Sequence, residues 1–116
     1  IFDMELAPEK KMVLPEEILT FDSLTLDSGR RKVYLNEQEI DLTSKEFDIL
    51  FFLASYPGQV FTHRQIYESV WEKEYMYDER NITAHIGHIR KKIEPESRHP
   101  VYILTVRGVG YKFRDR

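Results

Sequence analysis

Residues 79–94 read ERNITAHIGHIRKKIE, and the order of residue types in this stretch decides how the chain is built. On a helical wheel of about 100° per residue, Ile82, Ile86, Ile89 and Ile93 fall in one narrow arc. That stripe predicts a helix over 79–94 packed on a core, with Asp78 as its N-cap and Pro95 as its stop. The opposite arc holds Arg80, Ala84, Gly87, His88 and Lys91, with Asn81 and Arg90 on its flanks. Its middle is small, its edges are cationic, and it carries no carboxylate after Glu79. A solvated face ordinarily mixes Glu with Lys, so the missing acids fit a face for a polyanion or a merely basic surface helix. Gly87 costs about 1 kcal/mol relative to Ala in mid-helix. Either another backbone comes close there, or the position is exposed and indifferent.

Downstream, VYILTV (101–106), Arg107-Gly108-Val109-Gly110 and YKF (111–113) predict two strands joined by a tight glycine turn. Arg107 then projects from a hairpin tip, where it suits a narrow A·T minor groove or is a solvated turn arginine. Upstream, Thr62-His63-Arg64-Gln65 is a capping box that opens a helix carrying Ile66, Val70 and Trp71 and ending near 71–73. The acidic, aromatic residues 72–79 (EKEYMYDE) show no period and are read as a loop. A further capping box, Thr43-Ser44-Lys45-Glu46, opens a helix with Phe47, Ile49, Leu50, Phe51, Phe52, Leu53 and Ala54, ended by Pro57-Gly58. Before it, ILTF, LTLD, KVYL and QEID alternate with the turn pairs Asp22-Ser23, Ser28-Gly29 and Asn36-Glu37, predicting a four-stranded antiparallel meander. The whole is α+β.

The chain has 116 residues, one domain's worth, and a net charge of −3. The charge is divided. Residues 80–116 hold nine bases and three acids, +6, which leaves −9 on residues 1–79. An acidic body with a basic C-terminal third presents one face to a polyanion. There is no cysteine, which excludes disulfides, cysteine nucleophiles and thiolate metal sites. No apolar run is long enough to span a membrane and no signal pattern is present, so the expectation is a soluble, cytoplasmic protein. Residues 1–17 read as a linker ahead of a domain over 18–116, and the start at Ile1 reads as a fragment of something longer.

Several separated motifs together carry a resemblance. Leu42 to Phe47, Pro57-Gly58-Gln59-Val60, Arg64, Val70-Trp71, Arg80-Asn81-Ile82, His85-Ile86, Ile89 to Ile93 and Thr105 to Tyr111 stand in an order and spacing that resemble the DNA-binding effector domain of OmpR/PhoB-type response regulators. The resemblance covers about residues 18–114. It implies a winged helix-turn-helix: a four-stranded N-terminal sheet, three helices and a C-terminal β-hairpin wing. It further implies that the third helix enters the major groove, the wing reaches the minor groove, and the loop between the second and third helices contacts RNA polymerase. By position, Arg80, Asn81, His85, His88 and Arg90 match the DNA-facing helix, and Ala84, Gly87 and Lys91 join them from the outer arc of the wheel. Arg64, Trp71 and Thr105 match phosphate contacts, and Arg107 the wing arginine. Lys73, Glu74, Tyr75, Met76 and Tyr77 match the polymerase loop. Two departures bear on which bases are read: Gly87-His88 stands where the family commonly has two basic residues, and Thr83 replaces a frequent acid.

Other readings of these residues compete. His85 and His88, three apart, are half a zinc site without companion ligands, and His85 also leans toward the apolar stripe. Trp71 is read as mostly core, with its indole N–H available to a phosphate. Tyr75, Met76 and Tyr77 form a partner patch or pin the loop down. No nucleophile elbow, carboxylate pair or phosphate loop is present, so neither catalysis nor a cofactor is expected. The reading is sequence-specific binding of double-stranded DNA by a response-regulator effector domain, pairing head to tail on direct repeats. The phosphorylatable receiver domain would lie upstream, since residues 1–17 are too few to hold it. The alternative is a winged-helix protein-interaction module that has lost DNA binding.

Overall fold

The computed structural model describes residues 17–72 and 79–115. Strands β1 (Ile18–Phe21), β2 (Leu24–Asp27), β3 (Lys32–Leu35) and β4 (Gln38–Ile40) form an antiparallel sheet in that order. Leu35 pairs with Gln38, so the β3–β4 turn has two residues, Asn36 and Glu37. Both have positive φ, 52° and 68°, as a type I′ turn requires. Leu24, Leu26 and Val33 alternate inward and are buried, which fixes the register.

Helix α1 (Ser44–Ala54) and helix α2 (His63–Trp71) both begin with complete capping boxes, Thr43 with Glu46 and Thr62 with Gln65. In each, the Thr hydroxyl accepts from the third helical N–H while the Glu or Gln side chain takes the cap's own N–H. α2 stops at Glu72, whose left-handed φ of 57° turns the chain away. Helix α3 (Glu79–Ile93) presents Ile82, Ile86, Ile89 and Ile93 to the core, where all four are fully buried against α1 and α2. Asp78 and the loop residues 73–77 lie outside the described residues, as does the linker before Glu17.

The C-terminal hairpin is larger than its sequence indicates. Val60–Thr62 forms a strand, β5, that pairs with β7 (Gly110–Phe113), and β7 pairs in turn with β6 (Ile103–Val106). The result is a three-stranded sheet in the order β5-β7-β6. Its two glycines do different jobs. Gly108 adopts φ +76° in the turn, while Gly110 lies so close to β5 that a Cβ there would collide with the Phe61 carbonyl oxygen. The wing is thus held to the base of α2 by backbone pairing that only glycine permits at that position.

Candidate nucleic-acid interface

Helix α3 is positioned by its isoleucines, and that fixes what faces outward. Arg80, Ala84, His88 and Lys91 are exposed and Gly87 is half-buried, so the acid-free face lies on the surface as the wheel predicts. Among the described residues a Cβ at Gly87 would meet nothing within 4 Å, so none of them needs a glycine there. Of the two explanations for Gly87, close approach of the chain's own backbone is excluded among the described residues. The basic last turn (Arg90, Lys91, Lys92) also suits the negative end of the helix dipole.

One flank of α3 turns toward α1 and α2. His85 Nδ1 lies 2.8 Å from the Asn81 carbonyl oxygen, and its ring meets Trp71 edge-on at 5.3 Å. Trp71 is half-buried, stacked on Tyr67 at 4.8 Å, with the Lys45 ammonium 5.2 Å from its ring centroid. His88 Nδ1 is 3.8 Å from Glu46 Oε2, and Lys92 donates to Glu46 Oε1 at 2.8 Å. Burial pushes the Glu46 carboxyl up, but the Lys92 hydrogen bond, the Thr43 N–H and the charges of Lys92 and His88 outweigh it. The net result holds Glu46 below the ordinary glutamate value. His85 and His88 therefore have separate partners and do not converge on a common point. No group of three His, Cys, Asp or Glu able to hold a metal ion occurs among the described residues.

The other flank turns toward the wing. His63 Nε2 lies 3.4 Å from the Thr83 hydroxyl, and its ring meets Tyr111 edge-on at 5.3 Å. Arg90, expected among the DNA-facing side chains, has its guanidinium drawn inward, donating to the Ile103 carbonyl at 2.8 and 3.2 Å and to the Thr105 hydroxyl at 2.8 Å. It lies 5.6 Å from the Tyr111 ring centroid, and burial lowers its pKa from the usual arginine value. Arg107 is exposed in the turn that Val109 N–H closes onto the Val106 carbonyl at 2.9 Å. A cavity of about 240 Å³ is lined by His63 of α2 and, on the wing, by Thr105, Val106, Gly108, Val109, Gly110 and Tyr111. Arg64 is exposed on α2, 3.6 Å from Glu68.

The structure thus brings Arg80, Ala84, Gly87, His88 and Lys91 onto one face, with Thr105 and Arg107 exposed on the wing beside it. Asn81, His85, Trp71 and Arg90 are half-buried supports along its flanks. Glu46, His63 and Tyr111 also shape the site, and periodicity gives no sign of them because each acts from another element.

Residues 37–113 match the family described as "Transcriptional regulatory protein, C terminal". The chain is 40% identical over 106 residues to the uncharacterized transcriptional regulatory protein YclJ of Bacillus subtilis, covering 90% of this chain and 46% of YclJ. It is 41% identical over 98 residues to the DNA-binding response regulator MtrA of Mycobacterium tuberculosis, covering 84% of this chain and 43% of MtrA. The chain therefore spans less than half the length of these relatives. Among solved structures it is similar to DrrB, an OmpR/PhoB homolog of Thermotoga maritima (TM-score 0.77, 38% identity, 84% of this chain and 44% of that one). It is also similar to the Klebsiella pneumoniae RstA DNA-binding domain in complex with the RstA box (TM-score 0.78, 31% identity, 84% of this chain and 97% of that one). With three helices between a four-stranded antiparallel sheet and a C-terminal hairpin, the chain belongs to the C-terminal domain family of transcriptional regulatory proteins, in its OmpR/PhoB winged-helix form.

Proposed function

We propose that this domain binds double-stranded DNA sequence-specifically, as the effector domain of a two-component response regulator. One observation carries the reading: in a chain of net charge −3, the exposed face of α3 formed by Arg80, Ala84, Gly87, His88 and Lys91 holds no acid and lies beside a wing that exposes Arg107. In this arrangement α3 enters the major groove, with Arg80, His88 and Lys91 reaching bases or phosphates. Ala84 and Gly87 leave room for base edges to come close to the helix. Asn81 and His85 line one edge, where Trp71 directs its indole toward a phosphate. Arg64 and Thr105 flank the phosphate backbone, and Arg107 reaches into the minor groove. Phosphate contacts supply affinity and set the register, and contacts to base edges supply the sequence preference.

The remaining parts of the proposal rest on the family. Residues 73–77, outside the described part, contact RNA polymerase, two domains pair head to tail on direct repeats, and a receiver domain belongs upstream. A binding module needs neither a nucleophile nor a cofactor, and no catalytic role is proposed. Among the described residues no helix is long and apolar enough to cross a membrane.

A gel shift with genomic fragments tests the reading. Saturable binding of a subset of fragments, resistant to competitor DNA at moderate salt, is the expected result. Absence of any retained fragment at low salt rejects it in favour of a protein-interaction module.

A further inference from the structure

The last turn of α3 and the residue just after it carry two opposite charges that both grip the start of the wing. β6 is the outer strand of the β5-β7-β6 sheet, so among the described residues one of its edges has no strand beside it. Arg114 N–H donates to the Tyr102 carbonyl at 2.9 Å, which puts that carbonyl on the β7 side. Alternation then turns the N–H and carbonyl of Ile103 to the unpaired edge. Buried groups of that kind must find partners. Here they find them at the C-terminal end of α3 and just beyond it. The Glu94 carboxylate, 7% exposed, accepts from Val101 at 2.8 Å, from Tyr102 at 3.1 and 3.2 Å, and from Ile103 at 2.9 Å. One turn earlier, Arg90 donates through two nitrogens to the Ile103 carbonyl and on to the Thr105 hydroxyl. Arg90 in the helix and Glu94 just after it thus hold the C=O and the N–H of Ile103, in place of a neighbouring strand.

This contact joins two parts that have to address DNA at a fixed separation, the major-groove helix and the minor-groove wing. We infer that Arg90, braced by Glu94, is a positioning residue: it sets the wing relative to α3 and acts on DNA through Arg107 instead of by its own contact. The inference rests on the DNA-binding reading above and deepens it. A guanidinium is suited to the task, because its planar fork reaches the Ile103 carbonyl and the Thr105 hydroxyl at once, which the single ammonium of lysine does not reproduce.

A double-mutant cycle on the domain and a selected DNA fragment tests it, with two readouts: affinity, and preference for A·T over G·C in the flank under the wing. Arg107→Ala is expected to weaken binding on the order of tenfold and flatten the flank preference. Arg90→Ala should do the same, keep discrimination among major-groove sequences, and cost less than about twofold further in the Arg107→Ala background, because linked residues are not additive. Arg90→Lys should restore little of the flank preference. If Arg90 touches phosphate itself, the two substitutions add fully, the flank preference survives Arg90→Ala, and lysine restores both affinity and the salt slope. That result overturns the inference alone. If Arg107→Ala has no effect on affinity or flank preference, the minor-groove reading of the wing fails, and the inference with it. Should Arg90→Ala not fold, Arg90→Lys carries the same cycle with the same two outcomes.

Discussion

Three glycines that look alike in sequence should respond to alanine in three different ways. Gly87 is mid-helix with open space around its would-be Cβ, so Gly87→Ala should stabilise the domain by about 1 kcal/mol. Gly108 also faces open space but has φ +76°, so Gly108→Ala should cost about 1–2 kcal/mol of left-handed strain. Gly110 has β5 against it: its Cβ would strike the Phe61 carbonyl oxygen, with the Phe61 carbonyl carbon at 2.8 Å and Thr62 Cα at 2.9 Å. All three atoms are backbone, so no side chain can rotate away, and the cost belongs at the upper end of overpacking, about 3 kcal/mol. In a domain near 100 residues 1 kcal/mol moves Tm by roughly 4–8 °C, so Gly110→Ala should melt roughly 12–24 °C below wild type. Thermal melts followed by circular dichroism at one pH and protein concentration give the order Gly87→Ala, wild type, Gly108→Ala, Gly110→Ala. A Gly110→Ala domain melting within a degree or two of wild type would show that β5 does not lie against β7 at this position.

Other expectations follow from the flanks of α3 and the loop before it. Glu46 is held below its ordinary pKa of 4.5, so its charged interactions stabilise the fold above that value and are lost as pH falls through the lowered one. The stability gap between wild type and Glu46→Gln, measured by urea denaturation, should therefore be present near neutrality and shrink as pH falls through the lowered value. An unchanged gap down to the acid limit of folding would show that the ion pair with Lys92 contributes nothing. His88→Arg should tighten DNA binding and shift base preference toward guanine, which arginine reads in bidentate fashion. Unchanged affinity and preference by binding-site selection would place His88 off the DNA. Replacing Tyr75, Met76 and Tyr77 by polar residues should lower in vitro transcription while DNA affinity and Tm persist. A joint fall in Tm and DNA affinity would instead assign these residues a structural role.

Much of this architecture is legible in the residues because the signals are local. Thr43 with Glu46 and Thr62 with Gln65 announce helix starts by spacing alone, and both boxes close with the expected hydrogen bonds. The 4, 3, 4 spacing from Ile82 to Ile93 likewise fixes which face of α3 is buried. The turn pairs between the first four strands are equally local. β5 is different. Val60–Thr62 is three residues long, too short to show alternation, and is held by pairing with Gly110, Tyr111 and Lys112 some fifty residues away. The second glycine of Gly108-Val109-Gly110 is its one trace in the sequence, and it reads as part of the turn until β5 is seen beside it. The flanks of α3 were illegible for the same reason. A wheel places Arg90 at the edge of the cationic face, but the Ile103 carbonyl that draws it inward belongs to another element.

In the proposed complex the face of α3 and the wing bind DNA through its phosphates as well as its bases. The most direct test is the dependence of affinity on salt, followed by fluorescence anisotropy on a selected fragment between about 50 and 200 mM. A straight log–log plot is predicted, falling by about 0.9 for each phosphate contact and growing shallower by about one contact in Arg80→Ala and in Lys91→Ala. Saturable binding with a slope near zero, or slopes unchanged in both variants, would contradict it.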